Sequence, residues 1–311
     1  TYPETFNAFS CPVSIRYLLN FYQETKWADI IYYHYPWPFA DILPLVFPIK
    51  KPQIVTYHSD IVKQKWLKTL LKPVDTAFLG KMNKIIATSK QYADTSSNLK
   101  NLSHKVKVIP ICLDKTLYPK PRLSESRKIT HKFGQNFLLF IGQLRYYKGL
   151  HLLIEVMREI NTNLVIIGTG PLEQQLQHMI RKLSIKNVFF IGSVDEQTKV
   201  NYLYSCYSVI LPSHLRSEAF GISLLEGCMF GKPLISCKIG TGTEYVNIDT
   251  HNGFVAEPNS QSLKNAMNKL LQNPSLAKTM GENSLKRFNS SFSIDMLGKE
   301  LKIVIDSMVH K

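Results

Sequence analysis

Cysteine is sparse in this chain and never paired at short spacing. Its five cysteines, Cys11, Cys112, Cys206, Cys228 and Cys237, include no Cys-x-x-Cys. That excludes a dithiol redox motif and a paired-cysteine zinc site, and free thiols in a reducing compartment are the reading. Asp-x-Asp is absent and the nine histidines show no metal-ligand spacing, so no metal and no cofactor are expected. No uninterrupted apolar run approaches the roughly 18 residues a membrane span needs. Thr1 onward shows no basic start, apolar core or small-residue cleavage site. The expectation is a cytoplasmic protein.

Negative charge is also scarce, with 23 Asp and Glu against 38 Lys and Arg and a net charge of +15. The excess is concentrated: residues 50–132 hold 18 Lys and Arg against 5 Asp and Glu. Such a patch points to an acidic partner, such as an anionic membrane surface, a diphosphate-linked lipid or nucleic acid. In Ile61–Lys72, Val62, Trp66 and Leu70 recur every fourth residue while Lys65, Lys68 and Lys72 line another face. That pattern fits a basic amphipathic helix on a membrane and equally an internal helix with a solvated lysine face. No recognisable nucleic-acid-binding motif accompanies the charge, so nucleic acid is not expected as a partner.

A chain of 311 residues with 44% hydrophobic residues suggests two domains. Short apolar runs at 30–34, 52–58, 84–89 and 106–110 read as strands with amphipathic segments between them. The pattern restarts with strands at 137–142, 163–168, 188–192, 208–212 and 233–237, separated by helices. Strands alternating with helices indicate parallel sheets covered on both faces. The expected division is a first domain over 1–116, a Pro-, Ser- and Lys-containing linker over 117–135 and a second domain over 136–290. The tail, 291–311, is expected to form a helix that packs on the first domain.

The most chemical stretch is Ser217-Glu-Ala-Phe-Gly-Ile-Ser-Leu-Leu-Glu226, followed by Gly231-Lys-Pro-Leu-Ile. Ile210–Ser213 before it reads as a buried strand end, and a helix is expected to begin near Gly221. A helix start offers unpaired N–H groups and the positive end of a dipole, which suit a phosphate. Glu218 then lies in the loop beside a ligand, and Glu226, one turn in, is placed to accept bonds from sugar hydroxyls. The bland alternative is a strand–loop–helix crossover whose glutamates face water.

Three segments in order tip that balance. Phe140-Ile-Gly-Gln-Leu-Arg-Tyr-Tyr-Lys-Gly149, Ile166-Ile-Gly-Thr-Gly-Pro-Leu-Glu173 and Ser217–Glu226 together resemble the nucleotide-binding domain of the retaining glycosyltransferases of family 4. The first half is similar in Asp29–His34, Thr56-Tyr-His-Ser-Asp60, Ala87-Thr-Ser89 and Val108–Asp114. The resemblance implies an α/β, GT-B fold, in which two Rossmann-like doubly wound parallel-sheet domains face a cleft. Its narrower likeness is to bacterial α-mannosyltransferases of O-antigen and capsular polysaccharide assembly. This is carried by His58-Ser-Asp-Ile-Val-Lys-Gln-Lys65, Leu144-Arg-Tyr-Tyr-Lys-Gly149 and Ile239-Gly-Thr-Gly-Thr-Glu-Tyr-Val-Asn247. It implies GDP-mannose as donor and a polyprenyl-diphosphate-linked glycan as acceptor, on the inner face of the plasma membrane. A UDP-sugar-dependent enzyme of the same fold and a degenerate, non-catalytic homologue remain the alternatives.

Residue by residue, the resemblance implies that Arg145 and Lys148 neutralise the departing diphosphate. It implies that Glu218 contacts the transferred sugar, in a positioning role, and that Glu226 binds the ribose. Gly221, Ile222, Phe220, Gly142, Gly170 and Arg216 are implied to line the donor site, with Ser217 at its border, Gly168 in a tight turn and Gly240-Thr-Gly242 as a nearby loop. His58 is implied to face the donor sugar, and His34 and Asp60 to help bind sugar or acceptor. Two departures stand out. Gln143 occupies a place where the family usually has arginine. The chain also begins at Thr1-Tyr-Pro-Glu, past the family's opening strand and glycine-rich loop, so the first domain is expected to lack its first unit.

Overall fold

A computed structural model describes residues 5–8, 11–60 and 65–309, with side chains for all of these except 6–8, 11–13, 65–71 and 309. The chain divides into two units, residues 1–110 with 298–311, and residues 111–297.

The first unit opens with the antiparallel pair β1 (Phe6–Ala8) and β2 (Cys11–Val13), then helix α1 (Ile15–Trp27). Strand β3 (Ile31–Tyr35) and one-turn helices α2 (Pro38–Asp41) and α3 (Leu43–Val46) follow. Next come β4 (Gln53–Tyr57), α4 (Lys65–Lys81), β5 (Lys84–Ala87), α5 (Lys90–Thr95) and β6 (Val106–Val108). The sheet order is β3–β4–β5–β6, all parallel. β4 is buried along its whole length, as expected of a strand covered on both faces. Edge strand β3 alternates instead: Tyr33 and Tyr35 point inward, Tyr32 and His34 outward. Ser14 and Ser89 cap α1 and α5 by accepting the Tyr17 and Tyr92 amides. The basic amphipathic helix expected over Ile61–Lys72 lies largely outside the described residues, because Ile61–Gln64 and the side chains up to Leu71 are not among them.

The second unit runs through α6 (Leu123–Phe133), β7 (Leu138–Ile141), α7 (Leu150–Val156), β8 (Leu164–Ile167), α8 (Glu173–Lys182), β9 (Val188–Gly192) and α9 (Glu196–Ser205). It continues with β10 (Ser208–Leu211), α10 (Ile222–Met229), β11 (Leu234–Cys237), α11 (Gly242–Val246), β12 (Gly253–Ala256), α12 (Ser260–Leu271) and α13 (Pro274–Ser291). All six strands are parallel, in the order β12–β11–β10–β7–β8–β9. The chain lays strands outward from β7 to β9, then returns to the other side of β7. Strand order therefore reverses between β7 and β10, which lie side by side with Ser208 opposite Leu138. Helix α10 seats on the sheet through Gly227, where a Cβ would stand 2.8 Å from the Leu234 side chain and 3.0 Å from Val209. The last helix, α14 (Ile294–Val309), begins in this unit, and its residues from Gly298 group with the first, where Lys107 of β6 pairs with Glu300 at 2.7 Å.

Two features depart from the sequence reading. Residues 117–135, expected as a linker, contain α6, which packs on α9. Its sequence is mostly polar and buries only Ser126 and Phe133 fully, but Phe133 meets Phe189 and Tyr202 in an aromatic cluster at 5.2 and 6.1 Å. The sheet also extends one strand beyond β11, to β12. That strand opens on Gly253, where any side chain would overlap the Leu234 carbonyl. Cys112, Cys206, Cys228 and Cys237 are free thiols. No helix among the described residues is long and apolar enough to cross a membrane.

Candidate functional site

In an open parallel sheet, ligands bind outside the carboxyl ends of the strands where strand order reverses. Here that point is fixed by the loops after β7 and β10. β7 ends at Ile141 and leads through Gly142 and a 3₁₀ turn, Tyr146–Lys148, to Gly149. Gly149 takes the left-handed conformation (φ 71°), and a Cβ there would overlap the carbonyl oxygen of Pro212, just past β10. The two loops approach so closely that only glycine fits. Gly168 and Gly170 bring the third loop against the same backbone, since side chains there would strike Gly142 and Leu144.

Helix α10 starts where expected. Gly221 is its N-cap, left-handed at φ 84°, and it offers no side chain to cap the first amides of the helix. Beside it lies an ion pair: Lys148 donates to Oε2 of Glu218, and the Ser213 hydroxyl donates to the same oxygen at 3.0 Å. The side chains of Lys148 and Glu218 are only 12% and 10% exposed. A pair this buried is held together by the cost of leaving either charge alone. Arg145 and Gln143, two residues apart, are joined by an Nε–H···Oε1 bond of 2.7 Å. Tyr146, His151 and His214 cluster behind the turn, with ring centroids 4.8–5.2 Å apart. Burial lowers the pKa of both imidazoles, His214 further through His151, so both favour the neutral form.

The remaining predicted donor residues take different places. Arg216 donates to the Gly240 carbonyl at 2.6 Å, and Glu244 accepts from the Ile239 and Gly240 amides, which ties the 239–244 loop to the motif. Phe220 turns its ring into the core against Phe292, whereas Ile222 is 41% exposed at the helix start. Glu226 is buried, and its Oε1 accepts from Lys199 Nζ at 2.6 Å and from the Tyr118 hydroxyl at 3.1 Å. Ser213, Lys199, Tyr118 and Glu244 were not singled out as functional from the sequence. A glutamate on an otherwise apolar helix does signal that a cation must be near, but nothing in the sequence says which one.

In the first unit, His34 and His58 face each other with Nδ1 and Nε2 2.9 Å apart and rings nearly parallel. Burial lowers the His58 pKa and His34 adds to the effect. Asp60 is held more tightly: Oδ1 accepts from Tyr57 at 2.5 Å and Ser96 at 2.7 Å, and its amide donates to the Tyr92 hydroxyl at 3.1 Å. Those bonds give Asp60 a structural task at the end of β4.

Comparison with known proteins agrees across the chain. Residues 122–287 match the family model described as glycosyl transferases group 1, and residues 2–117 that of glycosyltransferase family 4. A D-rhamnosyltransferase of Pseudomonas aeruginosa is 43% identical over 86% of this chain and 70% of its own length. The O-antigen chain mannosyltransferase C of Escherichia coli is 42% identical over 94% of this chain and 79% of its own length. Among solved structures, Anabaena HepE in complex with UDP superposes with a TM-score of 0.79 at 21% identity, covering 93% of this chain and 82% of that one. Sucrose-phosphate synthase from Thermosynechococcus elongatus gives 0.78 at 19% identity, covering 94% and 77%. At such identities these two establish the GT-B fold.

Proposed function

This chain belongs to the group 1 and family 4 glycosyltransferases, and we propose that it transfers mannose from GDP-mannose to a polyprenyl-diphosphate-linked glycan in O-antigen assembly. The observation that carries the reading is the buried Lys148–Glu218 pair at the strand reversal, beside the open start of α10. A nucleotide sugar presents a diphosphate next to a hexose, and the pair presents a cation next to a carboxylate.

The chemistry follows from those groups. An ammonium has three N–H bonds, so Lys148 has two for phosphate oxygens beyond its bond to Glu218. Arg145, bonded to Gln143 through Nε, has its terminal N–H groups for the same diphosphate. The amides at the start of α10 add fixed donors. As the bond from sugar C1 to the β-phosphate oxygen breaks, its electron pair stays on the phosphate, where these groups stabilise it. The acceptor oxygen forms the new bond to C1 on the same face, and its proton passes to the departing phosphate. Glu218 has Oε1 for sugar hydroxyls while Lys148 and Ser213 hold Oε2. His58 and His34 are the polar groups proposed for sugar and acceptor binding, while Asp60, bonded to Tyr57, Ser96 and Tyr92, braces the end of β4. With the charge met by side chains, turnover is expected to survive EDTA. The basic 50–132 stretch supports contact with an anionic membrane on the cytoplasmic side, where a lipid-linked acceptor would be met.

A D-rhamnosyl donor is the second reading, favoured by an equally similar relative. D-rhamnose is mannose without its 6-hydroxyl, so the choice turns on one group. Titration calorimetry with GDP-mannose, GDP and UDP tests the proposal. UDP binding with GDP silent rejects the mannosyl reading, and turnover of only the 6-deoxy donor replaces it with the second.

A further inference from the structure

Every residue of α10 from Ser223 to Met229 is buried, so Glu226 places a carboxylate where little water is left to compensate it. Compensation comes from two elements far away in sequence. Lys199 of α9 lies 2.6 Å from Oε1 and also pairs with Glu196 at 2.9 Å. The Tyr118 hydroxyl donates to the same Oε1, and the Lys199 ammonium sits 5.4 Å from the Tyr118 ring centroid. Burial alone would lower the Lys199 pKa, but its bonds to Glu226 and Glu196 outweigh it and hold the ammonium above its ordinary value. Both donors converge on one oxygen, and among the described residues Oε2 takes no hydrogen bond.

We infer that Lys199 and Tyr118 are positioning residues that hold Glu226 in one rotamer and aim its second oxygen at the paired hydroxyls of the donor's ribose. They thereby set a preference for ribonucleotides over nucleotides lacking those hydroxyls. This rests on the reading that Glu226 binds the ribose. A diol held by a carboxylate in a fixed rotamer gains two charge-assisted bonds, whereas a carboxylate free to swing offers neither dependably.

The test is titration calorimetry of the full chain with GDP and UDP and with their 2′,3′-dideoxy forms. The wild-type chain should prefer the ribose form of its nucleotide by about 10- to 100-fold, the range for hydrogen bonds to a charged group. In Lys199→Met that preference should shrink to about threefold or less, through weaker ribonucleotide binding with dideoxynucleotide binding little changed. Tyr118→Phe, which leaves the ion pair intact, should lose roughly threefold of the preference and carries the test if Lys199→Met does not fold. Variants that retain the full preference, or that weaken both forms equally, overturn the inference and leave the ribose reading standing. A wild-type chain indifferent to the hydroxyls overturns the ribose reading itself, and the inference with it. Binding of neither nucleotide overturns the donor assignment.

Discussion

Strand order in the first unit follows chain order from β3 to β6, whereas in the second it reverses between β7 and β10. Both units alternate strands and helices, yet they treat polar side chains at strand ends differently. Past β4, Asp60 is closed in by Tyr57, Ser96 and Tyr92, all from its own unit. Past β7 and β10, Glu218 and Glu226 each have one oxygen held by a lysine and a hydroxyl, and among the described residues the other oxygen takes no bond. The lesson is that the carboxylates with an unused oxygen lie where strand order reverses, which is where open parallel sheets bind ligands, and not where strands follow chain order.

The comparison breaks first at Glu218 and Lys148. If the second unit carries the chemistry, Glu218→Ala and Lys148→Ala should each lower kcat by about 10²- to 10³-fold, the effect of losing one preorganised donor. The double variant should cost much less than the product of the two, because the residues act as a pair. Full activity in Glu218→Ala would move the chemistry elsewhere. Next comes Gly149, whose left-handed backbone and contact with the Pro212 carbonyl make Gly149→Ala destabilising by about 3 kcal/mol in urea unfolding. At Gly134, also at positive φ but with open space around it, the same change meets backbone strain alone and should cost less, about 1–2 kcal/mol.

The contrast between the units was partly legible in the sequence. Strands β3 to β11 announce themselves as short apolar runs, and the helix start at Gly221 follows from glycine at a loop-to-helix junction. Strand β12 escaped because its apolar run, Phe254-Val-Ala256, opens on a glycine and follows a polar turn. Helix α6 escaped because two apolar side chains four residues apart are too weak a period to separate from a linker. The pairing of Lys148 with Glu218 joins residues 70 apart, and that of Tyr118 with Glu226 residues 108 apart. Periodicity describes one element at a time, so contacts of that range depend on strand order, which no local pattern encodes.

A smaller effect probes the first unit's buried acids. Asp41 is 2% exposed, and burial pushes its carboxyl up to about 7 from 3.8; the Trp37 amide opposes the shift and Asp75 adds to it. A folded-state value above the unfolded one means stability is fully present below 3.8 and is lost as pH rises through about 7. Between pH 5 and pH 8 the wild-type first unit should therefore lose roughly 2–3 kcal/mol from this group. Asp41→Asn should flatten that loss in thermal unfolding, keeping the acceptor for the Trp37 amide. An unchanged pH profile would show that Asp41 is not the group responsible. The second unit's paired glutamates predict no such gain from Glu226→Gln, which breaks the Lys199 pair.

The smallest effect has the opposite sign. Gly80, near the end of α4, avoids the left-handed region, and a Cβ added there meets nothing within 4 Å. Nothing about its backbone or surroundings calls for glycine, in contrast to Gly149. Gly80→Ala should thus stabilise the first unit by about 0.5–1 kcal/mol, by narrowing the unfolded ensemble and improving helix propensity. The gain should fall at the low end of that range, because the residue lies in the final turn, where helices fray. The same substitution chemistry would then cost stability where two loops crowd the strand reversal and raise it on an open helix of the in-order sheet. A loss of stability in Gly80→Ala would mean that the surface of α4 is covered, and that the first unit's glycines are as constrained as those of the second.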